Sequence, residues 1–168
     1  MNKVFDVPES TLKPQDFWPA LSHRAVGAAV VAAQDDNGPA GFLALSATHV
    51  CANPPTMLVS IGNRTSALGT VIATGHFSIN YLADTDREMM DVFAGKTQLS
   101  GAERFQEGRW TKHVTGAPVL TGAIGVFDCL VEEIIERHET SIVLGRIMGV
   151  LLGDAGLKPL VTYRGGVI

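Results

Sequence analysis

An antiparallel β-barrel carrying two or three helices is the architecture this sequence predicts, from three observations. Apolar, β-rich runs of strand length outnumber amphipathic helical patterns. Strands and helices do not alternate along the chain, so a parallel sheet with crossover helices is not indicated. Asp35-Asp36-Asn37-Gly38 separates two apolar runs, and Asn-Gly is the punctuation of a tight hairpin. At 168 residues the chain has the length of one domain with a core of its own.

Residues 1–15 read as a loose arm and 16–168 as the domain. Asp16–Leu21 can start a helix, with Pro19 expected in its first turn. Ala25–Gln34 and Gly41–Ala47 are the two strands of the hairpin. Thr56–Ile61, introduced by Pro54-Pro55, is a short buried strand. A helix then follows, with Ser66 as N-cap, Ala67, Leu68, Val71 and Ile72 on one face, and Gly75 as its stop. His76–Leu82 is a further strand, and Thr85-Asp86-Arg87-Glu88 has the capping-box pattern of a helix bearing Met89, Met90 and Phe93. Residues 96–118 read as a long loop or lid with one helical turn near Glu103. Ala123–Ile135, Ile142–Leu152 and Leu160–Tyr163 close the chain as strands.

Composition narrows the function classes. Hydrophobic residues make up 46% and charged ones 18%, which favours burying apolar surface against a second copy of the chain. A net charge of −4 with no basic cluster excludes nucleic acid as the expected partner. Cys51 and Cys129 lie far apart without CxxC spacing and read as reduced thiols. The first residues lack the apolar segment of a secretory leader, and no apolar run is long enough to span a bilayer. A cytoplasmic protein that does not enter the membrane is the expectation.

The chemically richest segment is Ser60-Ile61-Gly62-Asn63-Arg64-Thr65-Ser66. It joins a strand to a helix, and its connecting part, from Gly62 to Ser66, offers free N–H groups at a helix N-terminus, two hydroxyls, an amide and a guanidinium. Such a loop can hold a phosphate: the helix end favours an anion and Arg64 adds a charge-assisted contact. The same residues also suit an ordinary capped helix after a strand. Nothing else in the chain supplies hard chemistry. There is no GxGxxG, no GxxxxGK and no GxSxG, and the five histidines are scattered without metal-ligand spacing. A phosphorylated organic cofactor is the natural owner of the loop.

In order along the chain, several motifs resemble the flavin reductase family, the FMN-binding split-barrel reductases of two-component monooxygenases. Gly41-Phe42-Leu43-Ala44-Leu45-Ser46 is similar to the family's Gly-Phe-Thr-Ala-Ser-Ser strand, with Pro54-Pro55 after it. Asn63-Arg64-Thr65-Ser66 resembles its phosphate loop, and Gly75–Leu82 its Gly-x-Phe-x-Val-Asn-x-Leu strand. Phe93-Ala94-Gly95, Glu103-Arg104-Phe105, Trp110, Gly116–Leu120, Gly145 and Tyr163-Arg164-Gly165 complete a set that runs from about Phe17 to Gly165.

The resemblance implies a homodimer of Greek-key split barrels with FMN near the subunit interface and NADH or NADPH as electron donor. Leu43, Ala44, Leu45 and Ser46 would lie along the flavin ring, Asn63, Arg64, Thr65 and Ser66 would hold its phosphate, Ser60 would be a further cofactor-binding residue, and Phe93 would pack near the ring. Phe93 equally suits the apolar face of a helix. Two departures stand out. Leu43 and Leu45 replace hydroxyl residues of the family strand, which makes a drier pocket. Thr140 occupies the position of a family histidine close to the nicotinamide, with His138 two residues earlier and, if both lie on one strand, on the same face. The leading expectation is an NAD(P)H-dependent FMN reductase that supplies reduced flavin to a partner oxygenase. The alternatives are an FMN-retaining reductase that passes electrons to a corrinoid cobalt or ferric complex, and a non-catalytic FMN-binding electron carrier.

Overall fold

A computed structural model describes residues 5–168, and the expected antiparallel barrel with flanking helices is what forms. Helix α1 (Pro14–Ser22) is followed by β1 (Val26–Gly27), β2 (Ala29–Asp35) and β3 (Gly38–Ala44). Next come β4 (Thr48–Ala52), β5 (Pro55–Gly62), α2 (Ser66–Thr74), β6 (His76–Tyr81) and α3 (Arg87–Phe93). The chain ends with β7 (Trp110–Lys112), β8 (Pro118–Leu120), β9 (Gly125–Arg137), β10 (Thr140–Leu152), β11 (Val161–Tyr163) and β12 (Gly166–Val167).

One sheet organises the domain, in the order β3-β2-β6-β9-β10-β5-β4, with neighbours antiparallel. Strand β2 is buried on both faces because it separates two cores. Ala29, Val31 and Ala33 point into one and Val30 into the other, the two-residue period of a strand. The first core joins Ala44 of β3 to Met57, Val59 and Ile61 of β5 through Val31, Ile79, Cys129 and Val143. Residues from opposite regions of the sheet therefore meet in one cluster, so the sheet curls into a barrel, with Leu68 and Val71 of α2 against it. The second core packs Met89, Met90, Val92 and Phe93 of α3 against Val30, Val119, Leu120 and Leu160.

Several sequence expectations are corrected. Of the arm, residues 1–4 lie outside the described residues, 5–13 are exposed without regular structure, and 14–15 already belong to α1. Pro14, not Pro19, occupies the first turn, and Pro19 falls inside α1, where its missing N–H leaves the Gln15 carbonyl without a helical donor. The hairpin strand runs Gly38–Ala44 rather than 41–47. Its turn places Asp36 and Asn37 at the tip and uses positive φ only at Gly38 (+117°), while Asp35 Oδ1 accepts the Asn37 N–H at 2.8 Å. Ile72 is 58% exposed, because α2 covers the barrel with Ala67, Leu68, Thr70 and Val71 instead. Thr65 is the N-cap of α2 rather than Ser66, and Gly75 ends the helix in the left-handed conformation as expected.

Residues 96–118 are not a free lid. A 3₁₀ turn (Gly101–Arg104) and the β7–β8 pair give them structure, and Phe105 and Trp110 pack on Phe93. Arg109 pairs with Asp86 at 2.6 Å, and the buried Asp128 accepts both the Thr115 N–H, at 2.8 Å, and the Thr115 hydroxyl.

Candidate functional site

A cleft of about 1170 Å³ opens where the end of β3, the β5–α2 loop, the β9–β10 turn, α1, α3 and the β11–β12 hairpin converge. Its size exceeds the usual range of single-ligand pockets, which leaves room for two planar ligands. Of the residues singled out from sequence, Leu43, Leu45, Ser46, Ser60, Asn63, Arg64, Thr65, His138 and Thr140 line it. Ala44 does not, because it alternates inward to the first core at 2% exposure. Ser66, exposed, follows the lining residue Thr65 as the first residue of α2, and Phe93 lies in the second core, ring to ring with Phe105 at 5.2 Å and Trp110 at 5.7 Å.

The β5–α2 loop leaves several hydrogen-bond donors free. The Thr65 N–H donates to Gly62 O at 2.9 Å and closes a turn, and the Leu68 N–H donates to Thr65 O, which starts the helix. Among the described residues the amides of Arg64 and Ser66 have no partner, and Thr65 makes no side-chain capping bond. Arg64 is exposed and makes no hydrogen bond or ion pair among the described residues. Free amides at a helix N-terminus beside an uncommitted guanidinium favour a phosphate dianion.

Asn63 is different. Its side-chain amide is engaged at both ends, with Nδ2 donating to His138 O at 3.2 Å and Oδ1 accepting from Ser141 Oγ at 2.9 Å.

The end of β3 lines the cleft with apolar side chains, and one carbonyl and one hydroxyl just beyond it are engaged. Leu43 is half-buried against the second core, and Leu45 is 41% exposed in the cleft. The Leu45 carbonyl accepts from Arg24 Nη2 at 3.1 Å, and Ser46 Oγ donates to Ser60 O at 3.2 Å.

His138 does not share a strand with Thr140. It lies in the two-residue turn between β9 and β10, with φ +50°, so the expected common strand face does not exist, yet both residues reach the cleft.

Sequence reasoning missed several lining residues. Arg24, Lys96 and Arg164 join Arg64 in the cleft against Glu139 as the lining carboxylate, a balance that favours an anionic ligand. Phe17 and Trp18 stand at 53% and 64% exposure on α1 and line the same cleft, and Arg164 lies 5.5 Å over the Tyr163 ring. Among the described residues no cluster of His, Cys, Asp or Glu is placed to hold a metal, and no helix is long and apolar enough to cross a membrane.

Residues 21–167 match the family model of the flavin reductase like domain. The chain belongs to the flavin reductase-like domain family. This flavin reductase-like domain is 36% identical over 143 residues to an FMN reductase (NADH) RutF of Cronobacter turicensis, covering 83% of each chain. It is 32% identical over 141 residues to the FMN reductase (NADH) RutF of Stutzerimonas stutzeri, covering 84% of this chain and 80% of that one. Among solved structures, BorF, the flavin reductase component of a bacterial two-component tryptophan halogenase, superposes with a TM-score of 0.85 at 25% identity, over 93% of this chain and 97% of that chain.

Proposed function

We propose that this protein is an NAD(P)H-dependent flavin reductase that uses FMN. One observation carries the reading: the uncommitted Arg64 and the free amides of Arg64 and Ser66 border a cleft large enough for a flavin and a nicotinamide together. The residues suit the cofactor. Arg64, the Thr65 and Ser66 hydroxyls and the α2 N-terminus would hold its phosphate, while Leu43 and Leu45 offer an apolar wall to a ring and exclude water from it. When bound, FMN supplies a ring system that accepts two electrons from a nicotinamide. The chain's part is to hold two planar groups in contact, for which proximity suffices and no acid–base residue is needed. On this reading His138 and Thr140 border the nicotinamide side. Phe93, set in the second core, would act on the ring only through α3.

Residues 16–168 are proposed as one FMN-binding domain that works as a cytoplasmic homodimer, with both cysteines free. A partner oxygenase is proposed as the consumer of reduced flavin, by likeness to BorF. The exposed apolar Leu45 favours a second reading, in which FMN stays bound and electrons pass to a corrinoid cobalt or ferric complex.

The visible spectrum of purified protein, together with NADH and NADPH oxidation with and without added FMN, tests these readings. Turnover that depends on free FMN is the expected result. A tightly yellow protein that turns over only with another acceptor supports the second reading. A yellow protein that oxidises neither nucleotide is an electron carrier and not a reductase.

A further inference from the structure

Asn63 belongs to the phosphate loop by position, but its bonds run elsewhere. Besides the two side-chain bonds to His138 O and Ser141 Oγ, its main-chain N–H donates to Glu139 O at 2.9 Å. One residue thus makes two hydrogen bonds to the turn that joins β9 to β10 and a third to the start of β10. Ser141 is 3% exposed, so its hydroxyl has little water to turn to if Asn63 is lost. His138 holds a left-handed φ of +50°, as the first residue of a two-residue hairpin turn does. The loop and the turn line the same cleft through Arg64 and Thr65 on one side and His138, Glu139 and Thr140 on the other.

We infer that Asn63 is a positioning residue rather than a phosphate ligand. It clamps the His138–Glu139 turn and the start of β10 to the phosphate loop, so that the cleft wall that receives the nicotinamide donor is set from the flavin phosphate site. The assignment of donor and flavin rests on the proposed function; the clamp itself rests on the hydrogen bonds. It separates Asn63 from its neighbour Arg64, whose guanidinium is free for the anion.

The test compares the parent protein with Asn63→Ala, the near-isosteric Asn63→Asp, and Ser141→Ala, which removes a single bond. Amide hydrogen exchange at 138–141 is measured without ligand, FMN and riboflavin affinities by flavin fluorescence, and the donor KM and kcat with FMN. Exchange at 138–141 should rise by roughly threefold to tenfold in Asn63→Ala, as expected for the loss of two side-chain hydrogen bonds, one exposed and one half-buried. The FMN-to-riboflavin affinity ratio should stay at the parent value, and the donor KM should rise by roughly fivefold or more with a smaller change in kcat. Ser141→Ala should give a weaker version of the same pattern and covers a fold defect in the alanine variant, and Asn63→Asp, whose charge would itself oppose a phosphate, is read by exchange alone. Unchanged exchange, or a selective loss of FMN over riboflavin, overturns the clamp. A parent protein that binds no flavin and oxidises no nicotinamide sinks the proposed function instead, and the exchange measurement still decides the clamp.

Discussion

Ser46 Oγ donates to the main-chain oxygen of Ser60 at 3.2 Å, tying the chain just beyond β3 to β5 although the two strands are far apart in the sheet order. Both residues line the cleft, so this bond between distant strand regions also shapes the wall beside the β5–α2 loop.

Replacing Ser46 with Ala should lower stability by about 0.5–1.5 kcal/mol, the usual worth of one such bond. Thermal melting of the variant beside Ser46→Thr, which can keep the bond, is the check. Equal melting temperatures for parent and Ser46→Ala would show that the seam is held by packing alone.

Leu45→Ser should admit water to the apolar wall and speed the release of FMN. Exchanging apolar burial for a hydroxyl in such a pocket changes binding by about 1–3 kcal/mol. Dissociation rates of FMN from the two proteins measure it, and equal rates remove the main support for an FMN-retaining enzyme.

Leu130, Met148, Val150 and Leu152 stand 42–86% exposed along β9 and β10, a run of apolar side chains that a lone chain leaves in water. Scattering mass at low micromolar concentration should report a homodimer, and Val150→Asp should shift it towards monomer. A monomeric parent that reduces flavin at full rate would remove the second copy from the account.

Cys129 is buried beside Asp128, and burial first, then the Asp128 charge, pushes its thiol up from 9.0 to about 12. The folded state thus keeps a proton that the unfolded chain releases above its ordinary value. This contribution is complete below about pH 9 and is lost as pH rises towards 12. Denaturant midpoints taken from neutral pH upward should fall more steeply in the parent than in Cys129→Ala. In the native protein the exposed Cys51 should alkylate while Cys129 stays unmodified until unfolding.

Much of the fold was legible because it is written in local pattern. The β2 run, the helix ending at Gly75 and the buried strand before the phosphate loop each carry their own periodicity and stop signal. Strand β4 had no such signal: all five of its residues are exposed, and only pairing with β5 makes it a strand. Residues 96–118 read as a lid because the groups that fix them, Asp86 for Arg109 and Asp128 for Thr115, lie outside the segment.

The cleft shows the same division. Arg64 and its loop could be read from a strand-to-helix junction. Arg24 and Arg164 lie 140 residues apart and share a cleft only after the sheet has formed. The partners of the Asn63 amide, 75 and 78 residues along the chain, were equally invisible.

The most direct measurement is the steady-state reduction of FMN and of riboflavin by the parent and by Arg64→Ala. A charged hydrogen bond to phosphate contributes about 1.5–3 kcal/mol, so kcat/KM for FMN should fall by at least an order of magnitude in the variant. Riboflavin, which has no phosphate, should be reduced equally well by both proteins. Equal losses for the two flavins, or no loss for either, would contradict the placement of the flavin phosphate at Arg64.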